Sequence, residues 1–147
     1  MQLAPNYDPV RFLIVDDDEV SILSIQRTLK KLNLMNPVSV AHDGVEALEI
    51  LRGACEEEGS LPPFVVTLDL SMPRMTGFEF LDVLRNDPVL KRAIVFVLTH
   101  SDAQDDVNAA YDNHVAGYIV KGNEHASFEE ALELLGIYAK VVVLPKS

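Results

Sequence analysis

The sequence predicts an α/β protein in which a doubly wound parallel sheet of five strands is covered by five helices. Short apolar runs rich in β-branched residues alternate with longer segments in which apolar residues recur at helical spacing. The run Phe64–Leu68 is apolar apart from Thr67, which is typical of a strand buried on both faces. Since strands and helices alternate, right-handed crossovers place helices on both sides of the sheet.

Each element is predicted from its own periodicity and from the turn residues that bound it. The predicted strands are Val10–Val15, Val38–Ala41, Phe64–Leu68, Ala93–Leu98 and Gly117–Val120. The predicted helices are Glu19–Leu32, Gly44–Glu58, Gly77–Arg85, Ala103–His114 and Ser127–Ala139. Ser127, with Glu130 three residues later, is typical of a capping box at the start of the last helix.

Composition and charge exclude several classes of protein. We expect a single domain over residues 1–147, with a core at about 10–138 and short tails. A net charge of −11 argues against nucleic-acid binding, because phosphate contacts need clustered Lys and Arg. No apolar run is long enough to span a bilayer, and no secretory signal precedes the first strand. The single cysteine, Cys55, allows no internal disulfide, and we expect a cytoplasmic protein.

Polar residues follow the predicted strands at the point where each strand ends. They are Asp16, Asp17 and Asp18 after the first strand, Asp69 after the third, Thr99 after the fourth and Lys121 after the fifth. In a doubly wound sheet the carboxyl ends of the strands share one edge, and ligands collect there. The sequence therefore predicts a functional site at this edge.

The types of residue at these strand ends favour phosphoryl chemistry. Clustered carboxylates without a cation raise one another's pKa and cost stability, whereas Mg²⁺ prefers oxygen ligands and offsets that charge. Asp69 can act as a nucleophile that forms an aspartyl phosphate. Thr99 can donate a hydrogen bond to the phosphoryl group, and Lys121 can supply a positive charge. These groups fit phosphoryl transfer to Asp69 better than hydrolysis or redox chemistry.

Four short motifs occur in order along the chain: LIVDDD, LDLSMPRMTG, VLT and GYIVK. Thr99 follows Asp69 by 30 residues, and Lys121 follows Thr99 by 22. With these motifs and separations, the chain from Val10 to Tyr138 resembles the receiver domains of bacterial response regulators, the CheY-like family. That resemblance implies a flavodoxin-like fold with strand order 2-1-3-4-5.

The resemblance also implies the ligands of a metal site and a phosphoacceptor. Asp69 would accept a phosphoryl group from a sensor histidine kinase. Mg²⁺ would be bound by Asp17 and Asp69, by Asp16 mainly through a water, and by the backbone carbonyl of Ser71. We expect Mg²⁺-dependent self-phosphorylation and self-dephosphorylation of Asp69 rather than the turnover of a conventional enzyme.

Other residues near the strand ends are expected to have different roles. The resemblance implies that Thr99 and Tyr118 form a switch pair, although simple packing in a strand is an equal alternative for Tyr118. Gly122 follows Lys121 where the family usually has proline, so the loop after the lysine should be freer. Asp18 precedes the first helix and is interpreted as its N-cap rather than as a metal ligand.

Output is expected through contact with another protein. After Lys121 the sequence has 26 residues, which predict one helix and a tail without a basic stretch. The family uses the face of the fourth helix, fifth strand and fifth helix for dimers and downstream partners. With the segment RGACEEEGSLPP, the motif YIVK and the run VVVLP, residues Val141–Pro145, the chain resembles stand-alone regulators that partner bacterial phytochromes. The VVVLP run either folds onto the body or forms a partner-binding edge.

Two other functions are compatible with parts of this pattern. A pseudo-receiver, an interaction module without phosphotransfer, has the same fold but no reason to keep Asp16, Asp17, Asp69, Thr99 and Lys121 together. A haloacid-dehalogenase-like phosphatase also uses an aspartyl nucleophile, but it needs an acidic residue at the position of Ser71.

Overall fold

A computed structural model describes residues 9–32, 36–122, 128–141 and 143–144. The strands are β1 (Arg11–Val15), β2 (Val38–Ala41), β3 (Phe64–Leu68), β4 (Ile94–Thr99) and β5 (Gly117–Val120). The helices are α1 (Glu19–Lys31), α2 (Gly44–Glu58), α3 (Gly77–Asn86), α4 (Gln104–Asp112) and α5 (Phe128–Val141). A 3-10 turn at Leu90–Arg92 precedes β4. Within these ranges, no helix has the length and apolar character needed to cross a membrane.

The five strands are parallel and pair in the order β2-β1-β3-β4-β5, as predicted. The end of β1 lies beside the ends of both neighbours, because Val15 pairs with Ala41 on one side and with Leu68 on the other. The end of β4 lies beside the end of β5, where Thr99 pairs with Val120. This register brings the residues that follow β1, β3 and β5 to one edge of the sheet.

Both faces of the sheet are buried, which explains why its strands are almost uniformly apolar. Alternate residues of a strand point to opposite faces. Leu13, Val66 and Val95 therefore join the core with α2 and α3, whereas Ile14 and Val65 join a second core with α1 and α5. Residues on both faces are fully buried, so a polar residue in the interior of either core needs a partner.

The ends of some elements differ from the sequence prediction. The fourth helix is shorter than predicted, because Ala103 lies at the N-cap and Asn113 at the C-cap of α4. His114 adopts a positive φ of 61°, which ends the helical conformation. The predicted N-cap at Ser127 lies outside the described residues. In the apolar run after α5, Val143 is exposed, while Leu144 packs against the core beneath α1 and α5.

The start of α3 lies unusually close to the backbone that follows β3. The N–H of Gly77 donates to the carbonyl of Leu70 at 3.0 Å. A Cβ atom on Gly77 would lie 2.6 Å from the carbonyl oxygen of Asp69 and 2.7 Å from Cα of Leu70. Thr76 caps α3 and forms a capping box with Glu79. The glycine of the motif therefore allows α3 to begin directly against Asp69.

A second contact holds the loop between β3 and α3. Arg74, whose φ is 59°, donates from Nε to Oδ2 of Asp43 at 2.7 Å. Asp43 is the N-cap of α2 and also accepts from the N–H of Glu46. The hydrogen bond from Arg74 lowers the pKa of the Asp43 carboxyl. The loop after Asp69 is thus attached to the adjacent helix α2.

Gly77→Ala is expected to lower the free energy of unfolding by about 1–3 kcal/mol, because the added methyl group must displace backbone atoms. The matched control is Gly53→Ala in α2, where a Cβ would meet no atom of the described residues within 4 Å. That change should raise stability by about 0.5–1 kcal/mol, since alanine favours the helix. Urea denaturation of both variants tests the pair, and equal effects would show that close packing at Gly77 is unimportant.

Candidate functional site

Three carboxylates converge at the carboxyl edge of the sheet. Asp16, Asp17 and Asp69 each offer an oxygen atom, and these atoms all lie within 4.8 Å of one another. The positions follow from the sheet, because the N–H of Asp69 donates to the carbonyl of Val15 at 2.9 Å. Asp16 and Asp69 are buried, whereas Asp17 is exposed. Carboxylate oxygens at this spacing suit a hard divalent cation such as Mg²⁺.

Lys121 reaches the same site from the end of β5. Its Nζ lies 2.5 Å from Oδ2 of Asp16 and 3.9 Å from Oδ2 of Asp69. The side chain is 5% exposed, and its backbone N–H donates to the carbonyl of Thr99 at 2.7 Å. Lys121 thus lies at the edge where the strand ends were expected to meet, and the structure pairs it more closely with Asp16 than with Asp69.

Burial makes Asp69 an unusual carboxyl group. Loss of solvent is the largest effect and raises its pKa, and the negative charge of Asp16 raises the pKa further. Lys121, the N–H of Ser71 and the side chain of Thr99 act in the opposite direction without overcoming burial. The N–H of Ser71 donates to Oδ1 of Asp69 at 3.4 Å. The carboxylate is therefore incompletely compensated by the protein, and a bound cation would favour its charged form.

The two residues predicted as a switch pair lie in different surroundings. Thr99 is buried at the end of β4, and its side chain hydrogen-bonds with Asp69. Tyr118 is half-buried in β5, and its hydroxyl donates to the carbonyl of Ser101 at 2.9 Å. Ser101 in turn donates from Oγ to Oδ2 of Asp106 at 2.5 Å. Tyr118 is thus hydrogen-bonded to the loop that follows Thr99.

The third aspartate of the run serves the helix, as predicted. Asp18 is the N-cap of α1, and its Oδ1 accepts from the N–H of Val20 at 3.1 Å. Its other oxygen, Oδ2, accepts from the hydroxyl of Ser21 at 2.9 Å. These hydrogen bonds, of which that from Ser21 has the largest effect, lower the pKa of Asp18. Asp18 therefore differs from Asp16 and Asp17 in its function.

Sequence reasoning missed Ser21, a buried residue in the first turn of α1. Nζ of Lys121 donates to Oγ of Ser21 at 3.1 Å. The signal that could have found it is its position three residues after the N-cap Asp18, which places the side chain in the turn nearest the site. A serine in a helical segment carries little information by itself.

Gly122 follows Lys121 with a φ of 74°. Proline fixes φ at about −65°, so the chain takes a path here that proline does not allow. Gly122, in place of the proline that is usual in the family, therefore affects the path of the loop as well as its conformational freedom. Lys121 nevertheless remains buried at the site.

The fold and this arrangement of residues are those of a receiver domain. A family model, the response regulator receiver domain, matches residues 12–133, and the chain belongs to this family. Among particular relatives, the response regulator Rcp1 from Synechocystis sp. is 33% identical over 138 residues, which cover 93% of this chain and 94% of Rcp1. The predictions of family and fold are confirmed.

Solved structures show the same fold over nearly the whole chain. The phosphorylated cyanobacterial phytochrome response regulator RcpA is 30% identical, with a TM-score of 0.81 over 94% of this chain and 99% of RcpA. The Mn²⁺-bound form of Rcp1 is 33% identical, with a TM-score of 0.79 over 93% of this chain and 99% of Rcp1. The roles of the individual site residues stay predictions for this chain.

Asp69→Asn is expected to stabilise the metal-free protein at pH 7 by on the order of 1 kcal/mol, or about 2–4 °C in melting temperature. The pKa of Asp69 lies above its ordinary value of 3.8, so the folded state binds the proton more tightly than the unfolded state. The contribution of Asp69 to stability therefore falls as pH rises from 3.8 through the folded-state pKa, and its full cost applies above that pKa.

Melting curves in EDTA at several pH values measure this difference, with exposed Asp82→Asn in α3 as the matched control. The gap between Asp69→Asn and the parent should shrink as pH falls toward 3.8. A gap that widens on acidification would contradict the raised pKa.

Asp18→Ala is expected to lower the melting temperature while Mg²⁺ affinity stays nearly unchanged. The change removes a helix cap and leaves the three converging carboxylates in place. Thermal melting and a Mg²⁺ titration followed by calorimetry separate the two effects. A large loss of Mg²⁺ binding without a change in melting temperature would show that Asp18 belongs to the metal site instead.

Proposed function

We propose that this chain is a phosphoacceptor whose Asp69 receives a phosphoryl group from a sensor histidine kinase in a Mg²⁺-dependent reaction. The observation that carries the proposal is the convergence of Asp69 with two carboxylates and the ammonium of Lys121 at the carboxyl edge of the sheet. An oxygen of Asp69 attacks phosphorus, the bond from phosphorus to the donor nitrogen breaks, and its electron pair returns to the donor imidazole. In self-dephosphorylation a water molecule then attacks phosphorus, the bond from phosphorus to the Asp69 oxygen breaks, and inorganic phosphate leaves while Asp69 returns to its free carboxylate.

The donor set fits a divalent cation, and the Mn²⁺-bound form of the relative Rcp1 supports a metal here. Asp17 and Asp69 would hold Mg²⁺ directly, together with the backbone carbonyl of Ser71. Asp16 would act through a water, since its Oδ1 already accepts from the N–H of Asp18 and its Oδ2 from Lys121. The cation would neutralise negative charge that develops on the phosphoryl oxygens.

The chain's own residues orient the phosphoryl group. The hydroxyl of Thr99 already reaches the Asp69 carboxylate and would turn to a phosphoryl oxygen. Lys121 would donate to another oxygen of the group. Movement of Thr99 would free space for the ring of Tyr118, at the expense of its hydrogen bond to Ser101. That exchange would carry the signal from the phosphorylation site to α4.

The partners follow from the family and from the charge of the chain. The relative RcpA is described as a cyanobacterial phytochrome response regulator, which supports a phytochrome as the sensor kinase. The face formed by α4, β5 and α5 would contact a downstream protein or a second copy of the chain. A net charge of −11 supports a protein partner rather than nucleic acid or a membrane. A location in the cytoplasm of a bacterium is proposed from the family, not from the charge.

Incubation with Mg²⁺ and acetyl phosphate is expected to add the mass of one phosphoryl group to Asp69. Asp69→Asn should acquire none, exposed Asp112→Asn should behave like the parent, and EDTA should abolish the reaction. Beryllofluoride, a phosphoryl mimic, should bind only with Mg²⁺ present, and Mg²⁺ alone should raise the melting temperature.

The contrasting outcome would identify a pseudo-receiver. A parent protein that acquires no adduct, shows no Mg²⁺ dependence and behaves like Asp69→Asn in every assay would be an interaction module without phosphotransfer. Purification of the complex from native cells would then be the route to its partner.

A further inference from the structure

The hydroxyl of Ser21 lies between two charged groups, and their chemistry fixes the direction in which its O–H bond points. Nζ of Lys121 lies 3.1 Å from Oγ, and Oδ2 of Asp18 lies 2.9 Å from it. A lysine ammonium can only donate, and an ionised carboxylate can only accept. The single proton of Ser21 therefore points to Asp18, and a lone pair of its oxygen faces Lys121. The N-cap of α1 thus orients an acceptor for the ammonium of Lys121.

The position of the Lys121 ammonium depends on the contacts that Nζ makes at the tip of the side chain. The backbone of Lys121 is held by its N–H bond to Thr99, but the next residue, Gly122, is exposed. Among the described residues, no atom lies within 4 Å of the position that a Cβ of Gly122 would occupy. Because the lysine stem is flexible, Asp16, Ser21 and the more distant Asp69 set the place of Nζ.

These three neighbours respond differently when a phosphoryl group reaches Asp69. The oxygen of Asp69 that forms the new bond to phosphorus loses its full charge, and the new phosphoryl oxygens attract the ammonium. Asp16, at 2.5 Å, attracts it in competition. Ser21 is neutral and takes no part in the reaction, so its bond to Nζ can persist while another N–H of the ammonium turns to the phosphoryl group.

We propose that Ser21 is a positioning residue, which holds the ammonium of Lys121 where it can donate to the phosphoryl group on Asp69. The proposal rests on the proposed function, because it concerns the same transfer. No proton leaves Lys121 or Ser21 in this step. The bond formed is that between Asp69 and phosphorus, the bond broken is that between phosphorus and the donor, and the ammonium contributes hydrogen bonds and charge.

The first test measures phosphorylation by acetyl phosphate at saturating Mg²⁺. Ser21→Ala should slow the reaction by about 10-fold, the size expected for one hydrogen bond to a charged group. Ser21→Thr, which keeps the hydroxyl, should restore most of the rate. Ser24→Ala, a serine one turn further along α1, is the matched control and should react like the parent. Mg²⁺ affinity should stay unchanged in all three, because the carboxylates remain.

A double-mutant cycle separates positioning from a general effect on the fold. If Ser21 acts through the lysine, Ser21→Ala should cause no further loss of rate in a Lys121→Met background. An equal 10-fold loss in both backgrounds would overturn the proposal, because Ser21 would then act independently of Lys121.

The second readout uses the metal-free protein and needs no phosphoryl chemistry. The buried, hydrogen-bonded ammonium of Lys121 should give a ¹⁵N NMR signal with slow hydrogen exchange. Ser21→Ala should accelerate that exchange, and Ser24→Ala should not. Unchanged exchange in Ser21→Ala would overturn the proposal whatever the phosphorylation assay shows.

The two readouts also separate this inference from the proposed function. A parent that is phosphorylated, together with a Ser21→Ala variant that reacts at the parental rate, overturns the positioning role alone. A parent that acquires no phosphoryl group overturns the proposed function and, with it, any role of Ser21 in transfer. Slow reaction and fast exchange together in Ser21→Ala support the inference.

Discussion

The buried ion pair between Asp16 and Lys121 is the interaction on which the site depends. It joins the end of β1 to the end of β5 across 105 residues of sequence, with both side chains no more than 5% exposed. An ammonium at this point offsets part of the repulsion among Asp16, Asp17 and Asp69. Without the ammonium, that repulsion would oppose folding at this edge of the sheet. Without it, three carboxylates that meet at the ends of β1 and β3 would be difficult to maintain.

Lys121 neutralises only part of the negative charge of the three carboxylates. A site with this remaining negative charge suits a bound cation. The raised pKa of Asp69 shows that burial outweighs the nearby positive charge. A protein selected for stability alone would place an apolar or neutral residue there. The same burial removes water from the Asp69 carboxylate, which is proposed to act as a nucleophile. The burial that makes Asp69 costly for stability is therefore also the burial that makes its carboxylate more reactive.

The sheet, and the edge at which the site residues meet, could be predicted from the sequence because the apolar pattern of the fold is periodic. Alternating apolar runs define a parallel sheet, and a parallel sheet collects its strand ends at one edge, which is why Asp16, Asp69 and Lys121 were predicted to meet. Their exact pairing could not be predicted. The preference of Lys121 for Asp16 and the role of Ser21 depend on contacts over about 100 residues, to which local periodicity gives no access. The φ of Gly122 likewise depends on the loop's path rather than on its composition.

Helix α4 is held at its two ends by different contacts. Arg85 donates from Nε to the carbonyl of Asn113 at 2.7 Å and from Nη2 to that of His114 at 3.0 Å, which satisfies the carbonyl groups after the helix. At the other end, the N-cap Ala103 has no side chain that can cap the helix, and Ser101 takes that place. Oγ of Ser101 donates to Oδ2 of Asp106 at 2.5 Å and accepts from the N–H of Ala103 at 3.3 Å, while its carbonyl accepts from the hydroxyl of Tyr118. A displacement of Ser101 would therefore reach Tyr118 and the start of α4 together.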